Sequence, residues 1–180
     1  IRDKATLPLH FEPRLVDVHV DKETMDKAFA EFKEEAALTD EEADALNQKS
    51  AKMSAFLKSP ERVSKIVADI AQHFNEKVNP HGFKAMIVTP DRHGCVQYKE
   101  ELDKHFSTEA SAVVISTSAN DEFDFKQKWG MDKARQEKVV EEFSDPQSDI
   151  KFLIVTAKLL TGFDSPVLQT MYLDKSLKDH

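Results

Sequence analysis

The chain has 180 residues, of which 40% are hydrophobic and 32% charged, and its formal net charge is −8. That is the size and mix of a single globular domain able to bury a substantial core. The excess of acid excludes a protein that coats nucleic acid nonspecifically, because neutralising phosphates takes clustered Lys and Arg.

The acidic balance still permits a few phosphate contacts through backbone amides and helix N-termini. The lone cysteine, Cys95, excludes an intramolecular disulfide framework and suits a reducing compartment. No apolar run approaches the roughly 20 residues that span a bilayer, so no membrane partner is expected. The opening "IRDKATLPLH" lacks the apolar stretch of a secretory signal. The chain reads as a cytoplasmic protein.

In chain order, residues 1–20 read as an extended linker whose alternating "RLVDVHV" (Arg14–Val20) suits an edge strand. Residues 21–80 read as a helical arm. "DKETMDKAFAEFKEEAA" places Met25, Phe29 and Phe32 on one helical face. Thr39 followed by Glu42 has capping-box spacing and predicts a second helix through about Leu57. "SPERVSKIVADIAQHF" predicts a third, with Ser59 as N-cap, Pro60 at the first helical position, and Val63, Ile66, Val67 and Ile70 as its buried stripe.

From residue 81 the pattern becomes strand, then helix. Strands are predicted at Phe83–Thr89, Ser111–Thr117, Ile150–Ala157 and Leu168–Asp174. Helices are predicted at Asp91–Phe106, capped by Asp91, and at Met131–Phe143. Such alternation implies an α/β domain with a parallel sheet covered on both faces. Ligands of such folds meet the carboxyl ends of the strands.

Several chemistries drop out by inspection. The four glycines, Gly82, Gly94, Gly130 and Gly162, fit neither the P-loop nor the dinucleotide fingerprint. The acidic runs "DEEA" at Asp40 and "DEFD" at Asp121 resemble an ATPase acidic box in composition only; neither sits at the end of a buried strand. His81, His93, Cys95 and His105 lack paired metal-ligand spacing, and no G-x-S-x-G elbow is present. A Mg-dependent nuclease using Asp91, Asp124 and Lys126, from "TPD" and "DFK", is the enzymatic alternative: two carboxylates for the metal and a lysine for the attacked phosphate. The plainer account makes Asp91 a helix cap and "FDFKQKW" a connecting segment.

The stretch "LLTGFDSP" (Leu159–Pro166) follows the apolar run "KFLIVTA", and "AMIVTPDR" earlier is likewise a buried strand ending in Thr. Both strand ends are expected on one rim. Gly162 permits close backbone approach there, and Asp164 can accept from a ribose hydroxyl or an arginine. A helix C-cap is the purely structural account of Thr-Gly-Phe-Asp.

"AMIVTPDRHGCVQYKEEL" resembles motif IV, and "FLIVTAKLLTGFDSPVLQTMYLDKSLKDH" motif V with its following strand, of superfamily 2 helicase-like ATPases. The wording of the second stretch, with "DKATLPLHFEPRL" at the start, resembles the motor part of the restriction (R) subunit of type I restriction enzymes. The resemblance implies the second of two RecA-like lobes that clamp ATP and pump duplex DNA toward a nuclease domain. It implies DNA-facing roles for Thr89, Thr156, Thr161 and Gly162, and ATP coupling through Gly162 and Asp164. ATP and Mg would be held mainly by a first lobe. Implied partners are double-stranded DNA, the first motor lobe and nuclease domain of the same subunit, and the methyltransferase and specificity subunits.

The departures are the missing Walker motifs and nuclease, and an end at His180 ahead of motif VI with its arginine finger. They lead to the expectation of a fragment that is inactive alone. The remaining alternative is a noncatalytic domain whose helices at residues 21–78 bind a partner.

Overall fold

The computed structural model describes residues 10–14, 56–118, 120–160 and 162–174. The helices predicted between residues 21 and 55, the acidic run at Asp40, most of the Arg14–Val20 run, and Thr161 lie outside the described residues. Four strands, β1 (Lys84–Val88), β2 (Ser111–Val113), β3 (Phe152–Val155) and β4 (Leu168–Leu173), form one sheet in the order β2-β3-β1-β4. All pairings are parallel, as the alternation of elements predicts. Among the described residues, no helix is long and apolar enough to cross a membrane.

Side-chain alternation in the two central strands builds two cores. Ala85 and Ile87 of β1, with Phe152 and Ile154 of β3, face α1 (Pro60–His73) and α2 (Arg92–Leu102). Met86, Val88, Leu153 and Val155 face the other way, toward Val139 and Phe143 of α4 (Lys133–Ser144) and toward Leu159, Leu160, Phe163 and Val167. Coverage of both faces explains why β1 and β3 are buried along their whole length. Among the described residues β4 is an edge strand, and Met171 and Leu173 on it are exposed.

The residues of α1 correct the expected boundary near residue 80. Val63, Val67 and Ile70, with Phe74 and Val78 just beyond, belong to the first core, so this helix is part of the lobe and not an arm leading to it. Rings of Phe74 and Phe106 lie 4.3 and 5.0 Å from that of Phe152, adding aromatic contacts to the apolar burial. Arg14 grips the same helix through a bidentate pair with Asp69, at 2.7 and 2.8 Å. Ser59 occupies the predicted N-cap position, but its side chain makes no cap bond. Asp91 does cap α2, accepting from Gly94 N at 2.8 Å, and Asp132 caps α4, accepting from Arg135 N at 2.7 Å.

Three further differences have local causes. β2 stops at Val113 and not at Thr117, because β3, its neighbour among the described residues, ends at Val155; one more ladder bond, Val114 N to Ile154 O at 2.9 Å, closes the pairing. "FDFKQKW" forms a short helix, α3 (Phe123–Trp129), where a connecting segment is expected. Among the described residues of the run "AKLLTGF" after β3 there is no helix for Gly162 to cap.

Buried Lys84 is the charged exception among the described strand residues. Its ammonium donates to the carbonyls of Phe143 at 2.9 Å and Asp145 at 2.7 Å, at the C-terminal end of α4. Those carbonyls lack intrahelical partners and carry the negative end of the helix dipole, which suits a cation. Desolvation nevertheless pulls the lysine pKa below its ordinary value.

Candidate functional site

The carboxyl ends of the parallel strands share one rim. Thr89 follows β1 and Thr156 follows β3, and the two strands pair through Val88 and Val155, so the predicted neighbours do lie side by side. Thr89 N donates to Val155 O at 2.9 Å, continuing the ladder. The Thr89 side chain is fully buried. Its hydroxyl donates to Asp91 O at 2.8 Å and lies 3.0 Å from Cys95 Sγ. This corrects the expectation that it faces DNA: the hydroxyl shapes the start of α2 instead. Cys95 is buried too, and burial pushes its thiol up to about 11, which marks it as inert packing.

Residues 157–167 return the chain from the carboxyl end of β3 to the amino end of β4. Parallel strands usually need a dozen or more residues for this, most often including a helix. Here the return is irregular, and Leu159, Leu160 and Phe163 pack against the second core. Leu159 adopts φ 67° and Gly162 φ 74°. A left-handed conformation is ordinary for glycine and strained for leucine. Gly162 and Asp164 are exposed, and nothing lies within 4 Å of where a Gly162 Cβ would stand. The exposed tip therefore sits on an apolar footing.

Across the rim, Arg92 of α2 pairs with Asp121 and donates to Ser116 O at 3.2 Å. Asp121 also accepts from Ser118 N at 2.6 Å. The Arg92 bond, with that backbone donor, holds the Asp121 carboxyl down to about 2. The acidic run at Asp121 is thus a loop brace, as its distance from a strand implies.

The nuclease constellation does not assemble as a strand-borne site. Asp91 is committed to Gly94 N and to Lys58, 3.2 Å away. Asp124 and Lys126 lie in α3, not on a strand. Among the described residues, no three His, Cys, Asp or Glu side chains are grouped to hold a metal.

Sequence reasoning missed a part-buried network at the end of β4. Arg62 of α1 forms a bidentate pair with Asp174, one bond being 2.9 Å, and Tyr98 of α2 donates to the same carboxylate at 2.7 Å. Burial, then the Asp174 charge, pushes the Tyr98 phenol well above its ordinary range. A cavity of about 30 Å³ lies beside it, lined by Leu57, Lys58, Asp91, Gln97 and Tyr98 among others. That volume suits a water molecule and is far too small for a nucleotide. An aspartate closing the otherwise uncharged strand "LQTMYL" was the available signal.

The geometry defines a parallel α/β lobe with an exposed glycine-containing crossover on its carboxyl-end rim. The model of the family described as type I restriction enzyme subunit R domain 3 matches residues 19–180, and the chain belongs to that family. The putative type I restriction enzyme MjaIXP endonuclease subunit of Methanocaldococcus jannaschii is 34% identical over 180 residues, covering 99% of this chain and 17% of that protein. The type I restriction enzyme HindI endonuclease subunit of Haemophilus influenzae is 31% identical over 188 residues, covering 100% of this chain and 17% of that protein. The chain spans about a sixth of the length of these curated relatives. The crystal structure of the Pyrococcus furiosus Hef helicase domain aligns with a TM-score of 0.46 and 15% identity, over 83% of this chain and 28% of that one.

Proposed function

We propose that this chain is the second, RecA-like motor lobe of a type I restriction R subunit, tracking duplex DNA and coupling its grip to ATP turnover. The observation that carries the reading is the crossover after β3. It joins an exposed Gly162–Asp164 tip to side chains seated on the second core, in a chain of the R-subunit family. Gly162, Thr161 and Thr156 would meet DNA phosphates, and Asp164 would accept a hydrogen bond that depends on the nucleotide state. Thr89 would act through the start of α2. The described residues offer no P-loop, and the cavity beside Asp174 could not take a nucleotide. ATP and Mg are therefore assigned mainly to a first lobe outside this chain, and the chain alone hydrolyses no ATP.

In the whole subunit the partners would be duplex DNA, the first lobe, the nuclease domain, and the methyltransferase and specificity subunits, all in the cytoplasm. The test is Gly162→Val in the complete subunit. A β-branched residue at φ 74° is strained wherever it points. Destabilisation alone would be about 1–2 kcal/mol, leaving activity per folded molecule nearly intact. Under this reading, translocation and DNA-stimulated ATP turnover fall together while the subunit stays folded. Asp164→Ala gives the same pattern without crowding the backbone. Normal translocation by folded Asp164→Ala subunit would remove the coupling role.

A further inference from the structure

We propose that Lys158 and Ser116 form a second phosphate-binding point on the rim, which holds a phosphodiester of duplex DNA; the inference rests on the DNA-tracking reading and adds this pair to it. Lys158 lies in the crossover just after β3, and Ser116 just past β2, so the pair bridges adjacent strands. Lys158 Nζ donates to Ser116 Oγ at 3.2 Å and to Gln136 Oε1. Gln136 is itself fixed, its amide donating to Met131 O at 2.9 Å and Ile115 O at 3.4 Å. The acceptor is therefore aimed at the lysine by α4 and the end of β2.

Both oxygens are neutral, and among the described residues they are the recorded partners of this ammonium. Lys65 and Lys133, by contrast, sit beside Glu61 and Glu137 on their own helices. Neither oxygen brings a formal negative charge to offset the ammonium, and one of its three N–H donors is left for a further acceptor. Its rotamer is already ordered, so binding an anion loses little side-chain entropy. Ser116 is exposed, and its carbonyl accepts from Arg92 at 3.2 Å. Two cations thus converge on one accessible serine. The Arg92 charge is offset by Asp121, and the Lys158 charge is left over. A phosphate oxygen between Nζ and the Ser116 hydroxyl would take the spare N–H and the O–H together.

The experiment measures affinity of the complete restriction subunit for a duplex of arbitrary sequence by fluorescence anisotropy across a potassium chloride series. Losing one phosphate contact lowers the slope of log K against log salt by about 0.9. Lys158→Gln should show that drop, and Lys158→Arg should restore the slope. Ser116→Asp keeps the lysine and its packing but neutralises it at close range, so it should lower the slope equally. It also serves if Lys158→Gln does not fold. A merely structural brace would weaken binding with no change of slope, which overturns the proposal. Loss of ATP affinity with DNA binding unchanged would assign the site to a nucleotide phosphate and overturn it too. If the unaltered subunit binds no DNA, the tracking reading falls and this inference with it. An unchanged slope in a DNA-binding subunit removes this inference alone.

Discussion

Replacing Arg62 by Met should cost the chain about 3 kcal/mol, the low end of the roughly 3–5 kcal/mol that follows from stranding one member of a buried ion pair. Side-chain exposures of 11% for Arg62 and 12% for Asp174 place the pair well inside. The penalty arises from the Asp174 carboxylate left behind, and not from the net worth of the pair. Two features hold it at the low end. Tyr98 still donates to Asp174 at 2.7 Å, and the stem of Met fills much of the volume vacated by the arginine. Asp174 N also keeps its bond to Val88 O at 2.9 Å, so the end of the β1·β4 ladder survives.

Urea unfolding followed by far-UV circular dichroism measures the loss. With a slope of about 2 kcal/mol/M, the midpoint should fall by about 1.5 M. Adding Asp174→Leu to Arg62→Met removes the orphaned charge and should recover at least half of the loss, because apolar replacement of a whole buried pair is often neutral. Tyr98→Phe alone should cost about 1.5–3 kcal/mol, the range for a hydrogen bond to a charged group. An Arg62→Met variant within about 0.5 kcal/mol of the parent, the scatter of ordinary surface changes, would refute a stranded charge at Asp174.

The remaining predictions use the rim and its helices. Asp121 has a folded pKa of about 2 against 3.8 for the unbraced group, so its contribution is present above pH 3.8 and is lost as pH falls toward 2. Arg92→Met should flatten that part of the melting-temperature profile, more visibly at low salt; a profile unchanged between pH 2 and 4 would refute the brace. A Cβ at Gly130 would stand 2.3 Å from the Lys126 carbonyl oxygen, whereas one at Gly94 would meet nothing closer than 3.4 Å. Gly130→Ala should therefore destabilise by more than about 1 kcal/mol, while Gly94→Ala, in a helix that favours alanine, stays neutral or gains, as thermal melts would report.

What could be read from sequence was what local chemistry decides. The buried runs "KAMIV" and "FLIV" announce strands covered on both faces, and Asp91 ahead of a helical run announces its cap. The ends of elements were less legible, because they depend on neighbours. Ser111–Thr117 has strand composition throughout, yet it stops pairing where β3 stops. The leucine pair in "AKLLTGF" suits a helix, but seating Leu159, Leu160 and Phe163 on the second core overrides that tendency. Asp174 and its partners lie 112 and 76 residues apart in sequence, a separation at which no pattern of spacing signals contact. The buried Thr89 hydroxyl was missed for a different reason, since its partners are near in sequence: a threonine ending a strand at a ligand rim looks the same in sequence whether it points outward or inward.

The rim is also more tightly connected than a loop carrying exposed polar residues would suggest. Lys158, at the start of the crossover, is bound to Gln136 in the first turn of α4. Phe163, further along, sets its ring 6.2 Å from that of Phe143, tilted at 49°, in the last turn of the same helix. The crossover thus touches α4 toward both of its ends, with Gly162 between the two contacts. Leu159 holds a left-handed conformation between them, at a cost of about 1–2 kcal/mol that the apolar footing must offset. A backbone change at Gly162 cannot be absorbed by a free loop, since either anchor must shift to accommodate it. A change at Lys158 releases one anchor and leaves the other seated. Gly162→Val should therefore disturb the tip and α4 together, whereas Lys158→Gln should alter charge on the rim with the tip still held by Phe163. Because the two sites share α4, their effects in one molecule should not add, as expected for residues coupled through a common rigid element.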